Sequence, residues 1–286
     1  ILSSLVAYSG GSDDWNHVLG DNGFGNIDTD PFLNNPANGD ISLVDCSPAI
    51  DAGDVFFNSA TEDIVGNDRV FNNVEIDMGA YEFQAVPMPG STIVYVDASK
   101  TSGLNDGSNW TDAYLNLQDA LENTATCAQI WVAKGTYYPD EGNNQTDDLR
   151  TSTFVLKANI AIYGGFAGNE VPNFDLDTRD FVSNETILSG DLDQNDATDN
   201  QLGNSNHVIT NDGNELSSTA VLDGFTISGG NADGMNSFES DGGGMINIGA
   251  SPLVRNCIFM DNTAVQGAGV FNTSSSPEFL DCRWIE

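Results

Sequence analysis

The chain has 286 residues, 39% of them hydrophobic, with 43 acidic against 8 basic side chains, a net charge of −35 and a pI of about 4.1. Nucleic-acid binding rests on neutralising phosphates, so this charge excludes a nucleic-acid partner and disfavours an anionic membrane surface. No apolar run reaches the roughly 18 residues that a membrane-spanning helix needs.

In chain order, the first elements are sparse. Ile1–Ala7 is apolar, with neither an initiator Met nor a signal peptide before it, and Glu286 falls inside a repeat. The chain therefore reads as a piece of a longer polypeptide. Residues 1–83 carry many turns and few periodic runs, and alone they would bury little core. They are expected to be the closing part of an upstream module. Gln84-Ala85-Val86-Pro87-Met88-Pro89-Gly90-Ser91 holds two prolines and a glycine and predicts a linker over residues 84–92. Thr92–Val96 then reads as a strand and Ser99–Asn109 as a turn-rich segment. Asp112–Glu122 reads as a helix, with Ala113, Leu117, Ala120 and Leu121 on one face and Thr111 as N-cap. One short helix here would cover the open end of a stack of strands.

From residue 130 the chain echoes itself. Ile130-Trp131-Val132, Ile160-Ala161-Ile162-Tyr163, Ile187-Leu188-Ser189 and Val221-Leu222-Asp223 are apolar runs leading to Gly135, Gly164, Gly190 and Gly224. These glycines are expected at corners of positive φ. The last third is stricter. Ser251–Phe259 realigns with Ser276–Trp284, and Gly244-Met245-Ile246-Asn247 with Gly269-Val270-Phe271-Asn272, both at the same offset of 25 positions. Short strands recurring at such a period indicate a solenoid, and at this length a parallel β-helix with passes about 4.8 Å apart. In such a stack Asn247 and Asn272 would form an amide ladder. Cys257 and Cys282 would stack as small buried side chains. A disulfide is the other reading, and it is disfavoured because in-register neighbours point their Cβ atoms the same way.

Stacked acids carry a cost. A like-charged pair at 4.8 Å repels by about 0.9 kcal/mol even at the dielectric of water. High salt or bound divalent cations would suppress this. The sequence thus points to a salty or calcium-rich medium.

Several stretches resemble the N-terminal portion of right-handed parallel β-helix modules in large secreted bacterial surface proteins. They are Val94-Tyr95-Val96-Asp97, Gly107-Ser108-Asn109-Trp110, Leu117-Gln118-Asp119-Ala120-Leu121 and Ile130-Trp131-Val132-Ala133-Lys134-Gly135-Thr136-Tyr137. Tyr163-Gly164-Gly165-Phe166-Ala167-Gly168-Asn169-Glu170, Leu188-Ser189-Gly190-Asp191 and Leu222-Asp223-Gly224-Phe225-Thr226-Ile227 continue the likeness. Gly267-Ala268-Gly269-Val270 and Phe259-Met260-Asp261-Asn262 are similar to the two short motifs of the polymorphic outer-membrane protein repeat. The first half is similar to the C-terminal end of such modules, the choice-of-anchor Q domain. Its marks are Gly25–Phe32, Ser47–Asp54, Asp63–Arg69 and Asp77–Phe83. The resemblance implies the tail of one module followed by the head of the next, export to the cell surface, commonly by type IX secretion, and an adhesive or structural role.

The strongest candidate for chemistry is Asp191-Leu192-Asp193-Gln194-Asn195-Asp196-Ala197-Thr198-Asp199. The oxygens of Asp191, Asp193, Asn195, Asp196 and Asp199 alternate on a loop in a way that suits Ca²⁺. A merely solvated acidic loop is the competing reading: position six is Asp196 and not Gly, and position twelve is Leu202 and not Glu. Asp13-Asp14 and Asp147-Asp148 read as solvated loops. His17 and His207 are isolated in sequence, with a structural role favoured for His207. Gly242-Gly243-Gly244 is a corner and not a phosphate loop, since no Lys-Ser/Thr follows. Arg255 and Arg283 fall in different columns of the repeat, and no clustered Asp–Arg set is visible. Trp15, Trp110, Trp131 and Trp284 are scattered, which leaves a sugar-stacking platform unsupported.

The fold expected is therefore all-β: a right-handed parallel β-helix over residues 93–286 with a short capping helix, preceded by the end of another module at residues 1–83. The function expected is a non-enzymatic, structural and adhesive segment of a long extracellular fibre. Its expected partners are copies of itself, neighbouring modules and cell-surface glycans. A secreted calcium-dependent polysaccharide lyase and a non-catalytic glycan-binding module are the alternatives.

Overall fold

The computed structural model describes residues 25–27, 31–35, 39–44, 46–71, 75–84, 92–196, 201–214, 216–235 and 237–285. Ile1–Ala7, Asp13, Asp14, Trp15, His17, Asp199, Glu286 and most of the expected linker lie outside them. The chain divides into two compact units, Ile1–Ser91 and Thr92–Glu286. The described structure is mostly sheet with few helices, an all-β architecture.

The first unit holds β1 (Leu33–Asn35) and β2 (Asp40–Leu43), paired antiparallel with Leu33 opposite Leu43. A 3-10 turn at Val55–Phe57 follows, with the Asp54 carboxylate accepting from the Phe56 amide. Leu43, Ala49 and Met78 form a small buried core, joined by Ile27, Leu33, Ile50 and Ala52. Backbone bonds Gly53 N to Ile76 O (2.7 Å) and Met78 N to Ala49 O (2.8 Å) lace two distant segments together.

The second unit opens with β3 (Ile93–Val96), the helix α1 (Leu117–Asn123), β4 (Gln129–Ala133) and β5 (Gly135–Tyr137). Next come β6 (Ala161–Phe166), β7 (Thr186–Ser189) and β8 (Ile209–Asp212). The next pass is β9 (Val221–Asp223), β10 (Thr226–Ser228), β11 (Asn231–Ala232), the short helix α2 (Ser237–Ser240) and β12 (Met245–Ile248). A similar pass follows with β13 (Leu253–Arg255), β14 (Ile258–Met260), β15 (Thr263–Ala264) and β16 (Val270–Thr273). β17 (Glu278–Leu280) and β18 (Arg283–Ile285) begin another.

Among the described residues every strand pair of this unit is parallel, and each sheet runs in chain order. The sheets are β3-β4-β6-β9-β13-β17, β5-β7-β10-β14-β18, β8-β12-β16 and the small β11-β15. The 25-position echo is the real register of the last strand pairs. Met245 faces Val270, Leu253 faces Glu278, and Ile258 faces Arg283.

Alternation along each strand sorts side chains to two faces. In the six-stranded sheet, Val94, Ile130, Ile162, Leu222, Val254 and Phe279 line one column. It belongs to the main core, with Leu188, Ile227 and Phe259 of the neighbouring sheet. Fully burying one such side chain stabilises by about 1.5–3 kcal/mol. The opposite face of the same sheet carries Tyr95, Trp131, Tyr163, Asp223, Arg255 and Leu280 in register.

The Asn ladder forms and is longer than the echo indicated. Asn211 Nδ2 donates to Asn247 Oδ1 (2.8 Å), and Asn247 Nδ2 donates to Asn272 Oδ1 (2.8 Å). The Leu156 amide donates to Asn211 Oδ1 (3.2 Å), which closes the lower end. Asn211 and Asn247 are fully buried.

Three expectations are corrected. The helix begins at Leu117, not Asp112, and its N-cap is Asn116. Thr111 and Asp112 are committed to a turn, where Asn109 Oδ1 accepts from both of their amides (2.8 and 3.1 Å) and Asp112 Oδ1 accepts from the Leu104 amide. Tyr114 is held beside β3 by bonds to Tyr95 and Asp97, which delays the helix further. Second, Ile187-Leu188 belongs to the five-stranded sheet, where Leu188 faces Ile227; Ala161 pairs directly with Val221. Short apolar runs ending in a small residue look alike in both sheets. Third, only Gly135 and Gly224 of the four corner glycines have positive φ, at 146° and 87°. Gly164 and Gly190 serve close approach, since a Cβ on either would sit 2.5 Å from a carbonyl oxygen of the next pass.

Candidate functional site

The acidic loop after β7 folds on its own side chains. Asp191 Oδ1 accepts from the Asn195 amide (2.9 Å) and its Oδ2 from the Asp196 amide (3.2 Å). Asn195 Nδ2 donates to Asp193 Oδ2 (2.6 Å), and Asn204 Nδ2 donates to Asp196 Oδ2 (3.0 Å). The expected ligand oxygens thus act first as turn acceptors, as short acidic side chains do in loops. Gln194 reaches out of this loop to Glu141 Oε1 (3.2 Å), on the loop between β5 and β6. Among the described residues no three His, Cys, Asp or Glu side chains converge to hold a metal ion. Asp199 falls outside those residues.

A second cluster went unseen in the sequence. Asp223 is fully buried on the outer face of the six-stranded sheet. Its Oδ2 accepts from Arg179 Nη2 (2.8 Å) and Arg255 Nε (2.6 Å), and its Oδ1 from Asn256 Nδ2 (2.8 Å). Arg179 also donates to the carbonyls of Leu176 (2.7 Å) and Gly164 (3.0 Å). Its guanidinium lies 5.1 Å from the Tyr163 ring centroid and 5.0 Å from that of Phe181. Burial opposes the Arg255 charge, but Asp223 outweighs it and raises the Arg255 pKa. A clustered Asp–Arg set therefore exists, contrary to expectation. It joins residues 32 to 44 positions apart, so no local motif marks it. Arg255 and Arg283 do occupy different columns, facing Leu280 and Ile258. With Asp223 closed to solvent and bonded on both oxygens, the cluster clamps the 167–185 loop onto the sheet.

The tryptophans are less scattered than expected. Trp131 stacks on Phe166 at 4.6 Å, and Trp110 lies 4.8 Å from Tyr95 with its indole N–H on the Glu170 carbonyl (3.0 Å). Trp131 and Phe166 are buried, so these rings fill a second core instead of offering a platform. Trp284 stacks on Phe259 at 5.7 Å. The two rings border an open hollow of about 500 Å³ with Gln201, Asp261 and Asn262.

His207 has the structural setting expected. It is buried, its Nδ1 lies 3.0 Å from the Gly242 carbonyl, and its ring meets Phe238 edge-on at 5.4 Å. Burial lowers its pKa, against the pull of the Gly242 and Phe238 backbone, Glu239 and Asp241. Cys257 and Cys282 are free thiols. Burial raises the Cys257 thiol, whereas the hydrogen bond from Cys257 lowers Cys282 to about 7.

In the first unit, the separated motifs meet. Arg69 Nη2 donates to the Asp77 carbonyl (3.1 Å), and its Nη1 lies 3.7 Å from Glu82 Oε2. Asp77 Oδ1 accepts from the Asp51 amide (2.8 Å), and Ser47 Oγ donates to the Pro31 carbonyl. Burial raises the pKa of both Asp77 and Glu82. Asp63 is partly buried, yet the backbone amides of Asn67, Glu82 and Val65 outweigh that and lower it to about 2.

No protein-family model, curated protein or solved structure matches the chain.

Proposed function

We propose that the second unit is a right-handed parallel β-helix, the head of one module, and that residues 1–83 are the closing end of another, joined through residues 84–92. The chain then serves as a structural and adhesive segment of a long extracellular surface fibre and not as an enzyme. One observation carries this reading: every sheet of the second unit runs in chain order and in parallel, so the unit lengthens by adding passes. The buried Asn ladder is a repeating bond of the same kind, open to extension. The Asp–Arg cluster has its carboxylate closed to solvent, which favours a scaffold over a polysaccharide lyase. Other copies, neighbouring modules and surface glycans are the partners, and hard cations, calcium first, are the counter-charge.

The test is electron microscopy of the native assembly, together with cleavage assays on pectate and alginate with and without calcium. A rod or filament with no cleavage is the expected result. A compact particle that cleaves either polymer would overturn the reading in favour of the lyase.

A further inference from the structure

Asp140, on the loop between β5 and β6, is a buried carboxylate in the wrong company. It is 5% exposed, and its Oδ1 has no hydrogen-bond partner. Its Oδ2 accepts from the Asp148 amide at 3.0 Å, which lays the carboxylate against the 147–148 segment. Among the described residues no Lys, Arg or His forms an ion pair with it. Arg150, two positions past Asp148, is turned away, donating to the carbonyls of Asn204 and Asn231 (both 2.7 Å) and to Asp233. The charges that Asp140 does feel are those of Asp147 and Asp148, and Glu141 feels Asp140 and Asp147 in turn.

The loop is built and not loose. Asp119 of α1, itself buried, accepts from the Asn143 amide (2.7 Å), and Gln118 donates to the Pro139 carbonyl (2.7 Å). A buried carboxylate oxygen with no hydrogen-bond donor, whose carboxylate feels the charge of other acids, is stabilised by a hard cation. We propose that Asp140 is the inner anchor of a calcium site, onto which the exposed carboxylates of Asp147 and Asp148 close. In the conformation described no three acids converge, so binding draws those two exposed side chains inward. The inference does not depend on the adhesive reading. It also differs from the 191–199 loop in sequence, where Asp191 spends both oxygens on backbone amides.

The experiment is calorimetric titration of calcium chloride into the full chain at fixed ionic strength, with magnesium chloride as control. Asp140→Asn is expected to weaken calcium binding at least about tenfold, and Asp191→Asn with Asp193→Asn to change it less than about twofold. Because Asp140 is buried, the double variant Asp147→Asn with Asp148→Asn, both exposed, gives a second reading and is also expected to lose about tenfold. Unchanged binding in the exposed double variant, a loss confined to the Asp191/Asp193 variant, or no binding below about 10 mM would overturn the proposal.

Discussion

Asp223 and Asp140 are both buried carboxylates, and the second unit treats them in opposite ways. Asp223 receives two guanidinium groups and an amide, so its charge is matched on both oxygens. Asp140 receives one backbone amide and faces other acids. The chain has only 8 basic side chains for 43 acids, and two of its arginines serve Asp223. The contrast shows where internal cations are spent, and the calcium site proposed above would serve the carboxylate that they leave unmatched.

Breaking the matched side has the largest expected effect. Arg179→Met leaves Asp223 buried with one guanidinium and one amide, and removing one member of a buried pair costs about 3–5 kcal/mol. The thermal midpoint should fall by on the order of 10 °C for a unit of this size. Replacing Arg179 and Asp223 together by apolar residues should recover much of that loss. If the single change costs less than about 1 kcal/mol, the clamp is not matched in the way described. A similar logic applies to the Asn ladder at smaller scale. Asn247→Ala severs two rungs, one to the buried Asn211 and one to the exposed Asn272, and should cost about 2–3 kcal/mol, read by denaturant unfolding.

The two carboxylates also mark how far the sequence could be read. The 25-position echo carried the register of the last passes correctly down to Asn247 over Asn272, because loops there are short and constant. It failed between β6 and β9, where Ala161 pairs with Val221 although the long 167–185 loop, β7 and β8 lie between them in sequence. The 167–185 loop carries Arg179, so the Asp223 clamp was invisible for the same reason that the register was lost. The helix start was misread because Asn109 and Asp112, good capping residues, are used by an earlier turn. Asp140 was illegible because burial, not sequence context, makes it unusual.

The pH dependence sharpens the comparison next. Burial raises Asp140 first of all, with Asp148 and Asp147 adding to it against the Asp148 amide; burial also raises Asp77, Glu82 and Glu141. A raised folded pKa means that the native state binds more protons, so these groups add stability as pH falls through their folded values toward the usual carboxylate range. His207 acts in the opposite sense. Its folded pKa is lowered from 6.5, so the unfolded chain takes up the proton first and stability is lost as pH drops below about 6.5. His207→Gln should remove that loss and leave the carboxylate gain, seen as a thermal midpoint that rises on mild acidification. A midpoint that still falls below pH 6.5 in this variant would place the acid sensitivity elsewhere.

The smallest expected effect is on the unmatched carboxylate itself. Without calcium, Asp140→Asn removes a buried charge that has no counter-ion and keeps an oxygen for the Asp148 amide. It should stabilise the unit at neutral pH by about 1 kcal/mol, since a buried group freed of an unmet charge loses part of its desolvation cost. The gain should shrink on acidification, because protonation of Asp140 relieves the wild type in the same way. Asp223→Asn, the same chemical change at the matched site, should destabilise instead by stripping the charge from two guanidinium bonds. Opposite signs for one substitution at two buried aspartates, measured by unfolding in chelator, are what separates a carboxylate kept for structure from one kept for a ligand. Equal signs would mean that the two environments differ less in their charge balance than their hydrogen bonds indicate.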